Sequence, residues 1–436
     1  MSTVHGIEDE LAAEIAELAQ DLNVSLKEPP QAVSAGVYVR GPWTFAIAMN
    51  LGLRCASRVL CEVLRCEVHS LDDVYDQVEA LNWRSFFSLD KTFSVTANAS
   101  ESPIKAPSLT LKVKDALADS FRRITGERPS VEKDAPDVRV MVRLHRRTLS
   151  VSLDTTGRPL ALRGYRMAGG DAPLSEVLAA GLVRMTGWHQ LCREIRAKQP
   201  QKVYFQRVVS ESEQSARRIP SEILLAPELI DPMCGTGTFA IEAALFMLNR
   251  RPQVERQLFS FQSLEIFPKT AHAQFESIRR QIRAQEVSLL DAFEYLQKYR
   301  VQVLGGQEAA GNPEPPILCR DRDSDSLRSA KKNAEAAGVS KLIRFEAGHV
   351  EDVSAHSPAG LVVINPPYGV RLGEEEQLKP LYKTMGDTLK KNFRGWQAWI
   401  LIGQPGLVSS VGLRATRRKK VFNGGLECAW LQYVLF

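Results

Sequence analysis

The apolar run Leu361-Val362-Val363-Ile364 ends abruptly at Asn365-Pro366-Pro367-Tyr368. Four consecutive apolar residues suit a strand covered on both faces, the environment of a central strand in a parallel sheet. Two prolines cannot continue such a strand, because each lacks a backbone donor and fixes its own φ. The chain must therefore leave the sheet here along a stiff, extended path, with Asn365 at the strand's carboxyl end.

The surrounding pattern agrees with a parallel sheet. From Leu174 onward long helices alternate with short apolar strands, as in a doubly wound α/β sheet. Glu228 to Ile230 precedes a Gly-rich turn, Phe239 to Leu248 reads as an apolar helix, Leu378 to Phe393 as another, and Ala398 to Ile402 as a strand. Lys420 to Phe422, the Asn423-Gly424-Gly425 turn and Glu427 to Leu435 predict a terminal antiparallel hairpin.

The first third has a different character, an α+β mixture. Leu11, Ile15, Leu18 and Leu22 recur at helical spacing, Ala32 to Val39 reads as a strand and Phe45 to Leu53 as a helix. Leu71 to Leu81 and Leu109 to Ile124 read as helices, Thr92 to Ala97 as extended, and Val138 to Leu144 with Leu149 to Leu153 as a strand pair. Two small modules ending near residue 158 are expected. Two stretches, near 190–221 and 250–316, read as peripheral insertions; the second predicts a helix over Phe275 to Val287 followed by a loop rich in Gly, Pro and Glu.

Composition excludes several classes. No segment approaches the roughly 20 apolar residues of a membrane span, and the acidic Glu8-Asp9-Glu10 start is unlike a secretory signal, so the expected location is the cytoplasm and no membrane partner is expected. The seven cysteines contain no C-x-x-C pair, and Cys55, Cys61 and Cys66 lack a suitably spaced fourth ligand; they read as buried core, and no metal is expected. A net charge of +5 permits a polyanionic partner without requiring one.

Asp231-Pro232-Met233-Cys234-Gly235-Thr236-Gly237-Thr238 lies between a strand and a helix, a ligand-binding position. Gly235 and Gly237 permit a sharp turn, and the helix start offers free N–H groups to a carboxylate or similar anion. By itself this loop also fits a dinucleotide fingerprint. The second strand, Ile317-Leu318-Cys319-Arg320-Asp321, ends in a carboxylate suited to accept hydrogen bonds from both hydroxyls of a ribose; helix capping is the alternative role for Asp321. At Asn365-Pro366-Pro367-Tyr368, the Asn365 side-chain oxygen and the Pro366 carbonyl can each accept one hydrogen of an exocyclic amine. That favours a pyramidal nitrogen with its lone pair aimed at a methyl donor. Tyr368 offers a face on which a base can stack.

Together these motifs resemble the amino-methyltransferase class of S-adenosylmethionine enzymes. Leu162-Arg163-Gly164-Tyr165-Arg166, Ala172-Pro173-Leu174 and Glu176 to Ala180 look like the segment preceding the cofactor loop in THUMP-containing RNA guanine-N2 methyltransferases. Lys112-Val113-Lys114-Asp115-Ala116 and Asp134 to Val140 are similar to the THUMP part of the bacterial large-subunit (23S) ribosomal RNA members, the RlmL type. The resemblance implies a Rossmann-like methyltransferase domain with a seven-stranded sheet over 159–436, preceded by a ferredoxin-like module over 1–70 and a THUMP RNA-binding module over 71–158. It also implies S-adenosylmethionine contacts at Asp231, Pro232, Met233, Cys234, Gly235, Gly237, Thr238, Asp321, Asn365 and Pro173, with Asn365, Pro366 and Tyr368 catalytic. The implied partner is structured RNA, 23S ribosomal RNA or its assembly intermediates, gripped at Arg139, Arg143, Arg146 and Arg147; a solvated strand face is the plain alternative for those arginines. One departure stands out: where the family carries an acid near the cofactor's adenine, this chain places His349, with Glu351 and Asp352 beyond. Competing readings are a transfer RNA guanine methyltransferase, a DNA adenine-N6 or cytosine-N4 methyltransferase, and a noncatalytic ribosome-assembly factor.

Overall fold

The computed structural model describes residues 1–167, 174–206, 222–224, 226–267, 270–305, 314–369 and 374–436. Helix α1 (Glu8–Asp21) buries Leu11, Ile15 and Leu18, as their spacing predicts. The stretch read as one strand over Ala32 to Val39 instead folds back on itself, with β1 (Gln31–Val33) antiparallel to β2 (Gly36–Tyr38). Ala35 at the bend has φ 54°, a left-handed turn that the alternating pattern hides. Helix α2 (Trp43–Gly52) completes this part.

Strand β3 (Leu60–Glu67), α3 (Leu71–Glu79), β4 (Phe93–Ser100), α4 (Ala106–Thr125), β5 (Val138–His145) and β6 (Thr148–Asp154) follow. Their sheet has the order β3-β6-β5-β4. β3 pairs antiparallel with β6, so a strand preceding residue 70 completes the second sheet. Cys61 and Cys66, read as core, are only half-buried because β3 is that sheet's edge; Cys55 is buried. Along β5 the buried residues are Val138, Val140, Val142 and Leu144, which turns Arg139 and Arg143 to the opposite face.

The remainder holds α5 (Glu176–Met185), α6 (Trp188–Ile195), β7 (Tyr204–Gln206), β8 (Glu222–Leu224), β9 (Leu229–Asp231), α7 (Thr238–Met247), α8 (Ala271–Arg283) and α9 (Leu289–Gln302). Then come β10 (Ile317–Asp321), α10 (Ser324–Ala336), β11 (Ile343–Ala347), β12 (Leu361–Ile364), α11 (Glu374–Asn392), β13 (Gln397–Ile402), β14 (Arg417–Asn423) and β15 (Leu426–Val434). A seven-stranded sheet runs β11-β10-β9-β12-β13-β15-β14. Its first five strands are parallel, and the hairpin β14-β15 closes it antiparallel against β13. The fold is thus the expected mostly parallel α/β sheet finished by a hairpin.

Two polar stretches hold more structure than their composition suggests. α6 begins the first of them, yet Leu191, Cys192 and Ile195 are buried, and the Trp188 indole donates to the Ala243 carbonyl at 3.0 Å. α9 occupies sequence read as loop; Ala292, Leu296 and Tyr299 form its buried stripe, and Ser288 caps it by accepting from the Asp291 N–H. Among the described residues no helix is long and apolar enough to cross a membrane.

Charged and backbone contacts lock the modules together. Glu17 of α1 pairs with the nearly buried Arg184 of α5 at 2.7 Å. Arg54 donates to the carbonyls of Leu245 and Arg250 at 3.2 and 2.7 Å. Phe422 of β14 donates its N–H to the His5 carbonyl at 3.1 Å, and Lys419 pairs with Asp9 at 3.0 Å.

Candidate active site

The strand order reverses between β9 and β12, whose carboxyl ends lie side by side at the topological switch point. β10 flanks β9 on its other edge. Asp231, Asp321 and Asn365, picked out as separate motifs, thereby come to one rim of the sheet.

The glycine loop crosses this rim. Gly235 and Gly237 have φ of 53° and 81°, and a Cβ on Gly237 would meet the Ala330 Cβ of α10 at 3.0 Å. Both glycines are therefore required, one by the turn and one by the turn plus helix packing. Asp321 fixes the loop by accepting the Gly235 N–H at 2.8 Å, and its other oxygen accepts the Asp323 N–H at 2.9 Å. The helix cap is Asp323, which accepts from the N–H groups of Asp325 and Ser326, so capping does not explain Asp321. Pro232, Cys234 and Thr238 are buried, and Met233 is half-buried. The neighbouring Cys319 thiol, together with burial, holds the Cys234 thiol well above its ordinary range. Pro173 lies outside the described residues.

Asp231 is 2% exposed, and burial pushes its carboxyl well above the usual range, with the Asp321 carboxylate adding to the effect. It accepts a long hydrogen bond, 3.4 Å, from the Met233 N–H. A buried acid beside a second acid favours a cationic neighbour. The ammonium and sulfonium of S-adenosylmethionine would supply that charge, and the Asp321 carboxylate retains acceptor capacity that ribose hydroxyls would use. The residues present fit this cofactor.

On β12 the expected strand, Leu361 to Ile364, is found with all four residues buried. Asn365 and Tyr368 are half-buried and Pro366 is buried. The Pro367 carbonyl accepts the Tyr382 hydroxyl at 3.0 Å, which fixes the course of the turn. The Tyr368 hydroxyl donates to Asn365 Oδ1 at 2.5 Å.

Sequence reasoning missed a set of buried supports. Asn333, 1% exposed on α10, donates to the Thr236 carbonyl at 3.1 Å and accepts the Met167 N–H at 2.9 Å, tying the glycine loop to the segment before it. Its signal was one amide in the apolar stripe Ala330, Asn333, Ala334. Arg163 Nε lies 3.0 Å from Glu242 on α7, both side chains at most 1% exposed. The Tyr165 hydroxyl donates to the same Glu242 at 2.9 Å. Arg166 pairs with Glu176 at 2.9 Å. Strand Ile343 to Glu346 continues to Ala347, Glu346 pairs with Arg320 at 2.9 Å, and His349, Glu351 and Asp352 are exposed on the following turn.

The arginines of the second sheet lie elsewhere. Arg139 and Arg143 share the outer face of β5 and donate to the carbonyls of Asp134 and Ser34 at 2.7 and 3.1 Å. Arg146 and Arg147 occupy the β5-β6 turn, where Arg146 pairs with Glu101 at 2.9 Å and Arg147 is exposed. Arg139 also lines a cavity of about 1070 Å³ with Arg58, Arg158 and Arg256, between the second module and residues 252–263.

Family models match along most of the length: a ferredoxin-like domain of RlmL at residues 1–60, a THUMP domain at 68–154, and an RMKL-like methyltransferase domain at 221–432. The chain is a THUMP-containing methyltransferase of the RlmL type. Its cofactor is S-adenosylmethionine. Solved structures share the fold over the full length. A possible methylase from Clostridium difficile 630 is 24% identical, with a TM-score of 0.75 and coverage of 100% of this chain and 97% of that one. SMU.472, solved in complex with SAH, is 22% identical, with a TM-score of 0.72 and coverage of 100% and 97%. A protein from Listeria monocytogenes described as an N6-adenine-specific DNA methylase is 25% identical, with a TM-score of 0.73 and coverage of 100% and 95%.

Proposed function

We propose that this RlmL-type chain methylates the exocyclic N2 of a guanine in RNA, with 23S ribosomal RNA as its substrate. The carrying observation is Asn365 at the carboxyl end of β12, beside the Asp231 end of β9, in a chain that also bears a THUMP domain. The cofactor supplies an electrophilic methyl group on positively charged sulfur. The chain supplies position: Asp321 and the glycine loop for the cofactor, and Asn365 Oδ1 with the Pro366 carbonyl for the two amine hydrogens. An exocyclic amine is a poor nucleophile because its lone pair is delocalised into the ring, and these acceptors favour the pyramidal form. Its proton becomes acidic once the nitrogen is alkylated, so no strong base is needed. A guanine reaches this rim by leaving its stack, with Tyr368 as the surface it meets. We assign residues up to about 70 to the ferredoxin-like module, with β3 at its end reaching across to complete the second sheet, 71 to about 158 to the RNA grip at Arg139, Arg143, Arg146 and Arg147, and the rest to catalysis.

The test is incubation with S-adenosylmethionine and, separately, unmodified 23S ribosomal RNA, transfer RNA or DNA, followed by nucleoside mass spectrometry. N2-methylguanosine from the ribosomal RNA is expected. N2-methylguanosine from transfer RNA alone, or N6-methyladenine or N4-methylcytosine from DNA, overturns the substrate. No product from any of the three, with cofactor bound, favours an assembly factor.

A further inference from the structure

Asn423 closes β14, 55 residues beyond Tyr368 in sequence, and the turn motif that contains it marks no link to the site. Its side-chain amide donates to the Tyr368 hydroxyl at 3.3 Å, and that hydroxyl donates to Asn365 Oδ1 at 2.5 Å. The direction of this chain is fixed by what each group can do. Burial, with the Cys428 thiol nearby adding to it, holds the Tyr368 phenol well above its ordinary range, so it stays protonated; the 2.5 Å contact makes Asn365 Oδ1 the acceptor of its hydrogen, while a lone pair receives Asn423. The ring is held in place as well. A Cβ on Gly403 would meet the Tyr368 Cγ at 2.8 Å and the Leu426 Cδ2 at 2.9 Å, so the phenol stands against bare backbone at the end of β13 with Leu426 of β15 beside it.

This arrangement bears on a weakness of asparagine as an amine acceptor. The outer torsion of its side chain is broad and roughly two-fold, so the carboxamide presents oxygen or NH2 with little intrinsic preference. An NH2 group turned toward a substrate amine opposes donor to donor. A hydroxyl that donates at this point selects the flip with Oδ1 toward it. Carboxamide oxygen has two lone pairs, so one stays open for the amine.

We propose that Asn423 and the Tyr368 hydroxyl are positioning residues that hold the Asn365 carboxamide with its oxygen toward the substrate amine. This rests on the reading of Asn365 as the amine acceptor.

The experiment compares Asn365→Ala, Tyr368→Phe, Asn423→Ala and the Tyr368→Phe/Asn423→Ala pair in the full chain, measuring kcat and KM for methyl transfer to 23S ribosomal RNA and cofactor affinity by calorimetry. Phenylalanine keeps the ring and removes only the hydroxyl. Tyr368→Phe and Asn423→Ala are each expected to lower kcat about tenfold, the worth of one buried hydrogen bond, with KM and cofactor affinity unchanged. The pair is expected to fall no further than the worse single, because both break the same relay. Undiminished kcat in Tyr368→Phe, independent multiplying losses in the pair, or a change confined to KM overturns the proposal. Asn365→Ala separates the two readings: if it is inactive while Tyr368→Phe and Asn423→Ala are fully active, only the relay fails, whereas if it is active the assignment of Asn365 itself falls.

Discussion

The rim of the seven-stranded sheet and the outer face of the four-stranded sheet both gather polar groups, by opposite means. At the rim, Asp231, Asp321, Asn333 and Asn365 are buried or half-buried, and each is tied to a particular backbone or hydroxyl group. On β5, Arg139 and Arg143 donate to the carbonyls of Asp134 and Ser34, and Arg147 is exposed in the turn. Removing a partner from a buried group leaves an unpaired charge or dipole, whereas removing an exposed cation lets water in. The rim therefore defines geometry, and the arginine face contributes charge that adds up.

The largest loss should come from Glu242, buried against Arg163 and Tyr165 behind the glycine loop. Glu242→Ala strands the Arg163 cation and should cost about 3 to 5 kcal/mol, read as a lower midpoint in denaturant unfolding; an unchanged midpoint would contradict the contrast. Asn365→Ala should slow methyl transfer about 10²- to 10³-fold while calorimetry finds cofactor binding largely intact. Next is a pH effect on the buried side. Burial pulls His189 down from 6.5 to about 3, the nearby Arg184 cation acting in the same direction. The folded protein holds this ring neutral while the unfolded chain takes up a proton below pH 6.5. Stability is therefore complete above pH 6.5 and declines as pH falls toward 3, by about 2 kcal/mol between pH 6.5 and 5. His189→Gln should flatten that part of the stability profile, and an unaltered profile would assign the acid sensitivity elsewhere. Smallest are single Arg139→Ala, Arg143→Ala or Arg147→Ala changes. Each should weaken RNA binding several-fold irrespective of sequence and lower the salt slope by about one, with kcat at saturating RNA unaffected; a loss specific to one sequence would mean that the arginines read bases.

What the sequence made legible follows the same division. The strand Leu361 to Ile364 and the glycine loop were readable because a strand, a proline pair and a tight turn impose local chemistry. Asn423, Asn333 and Glu242 were not, because their meaning lies in partners 55, 97 and 77 residues away. Arg163-Gly164-Tyr165-Arg166 is intermediate: the run was visible as a motif, but Arg163 and Tyr165 converging on one glutamate of α7 required the fold. The hairpin β1-β2 and helix α9 escaped for local reasons, a left-handed alanine in one and a three-residue apolar stripe among charged neighbours in the other.

The bond from Phe422 to His5 has a consequence for how the molecule is made. A ribosome adding about 5 to 20 residues per second delivers Phe422 roughly 20 to 80 s after His5. For that interval α1 has neither the β14 strand that receives Asp9 nor, until residue 184 emerges, the arginine that receives Glu17. The second sheet, whose strands lie between residues 60 and 154, can close much earlier. The tie between β14 and α1 is thus among the last to form, long after Leu18 can pack against Gly52 of α2.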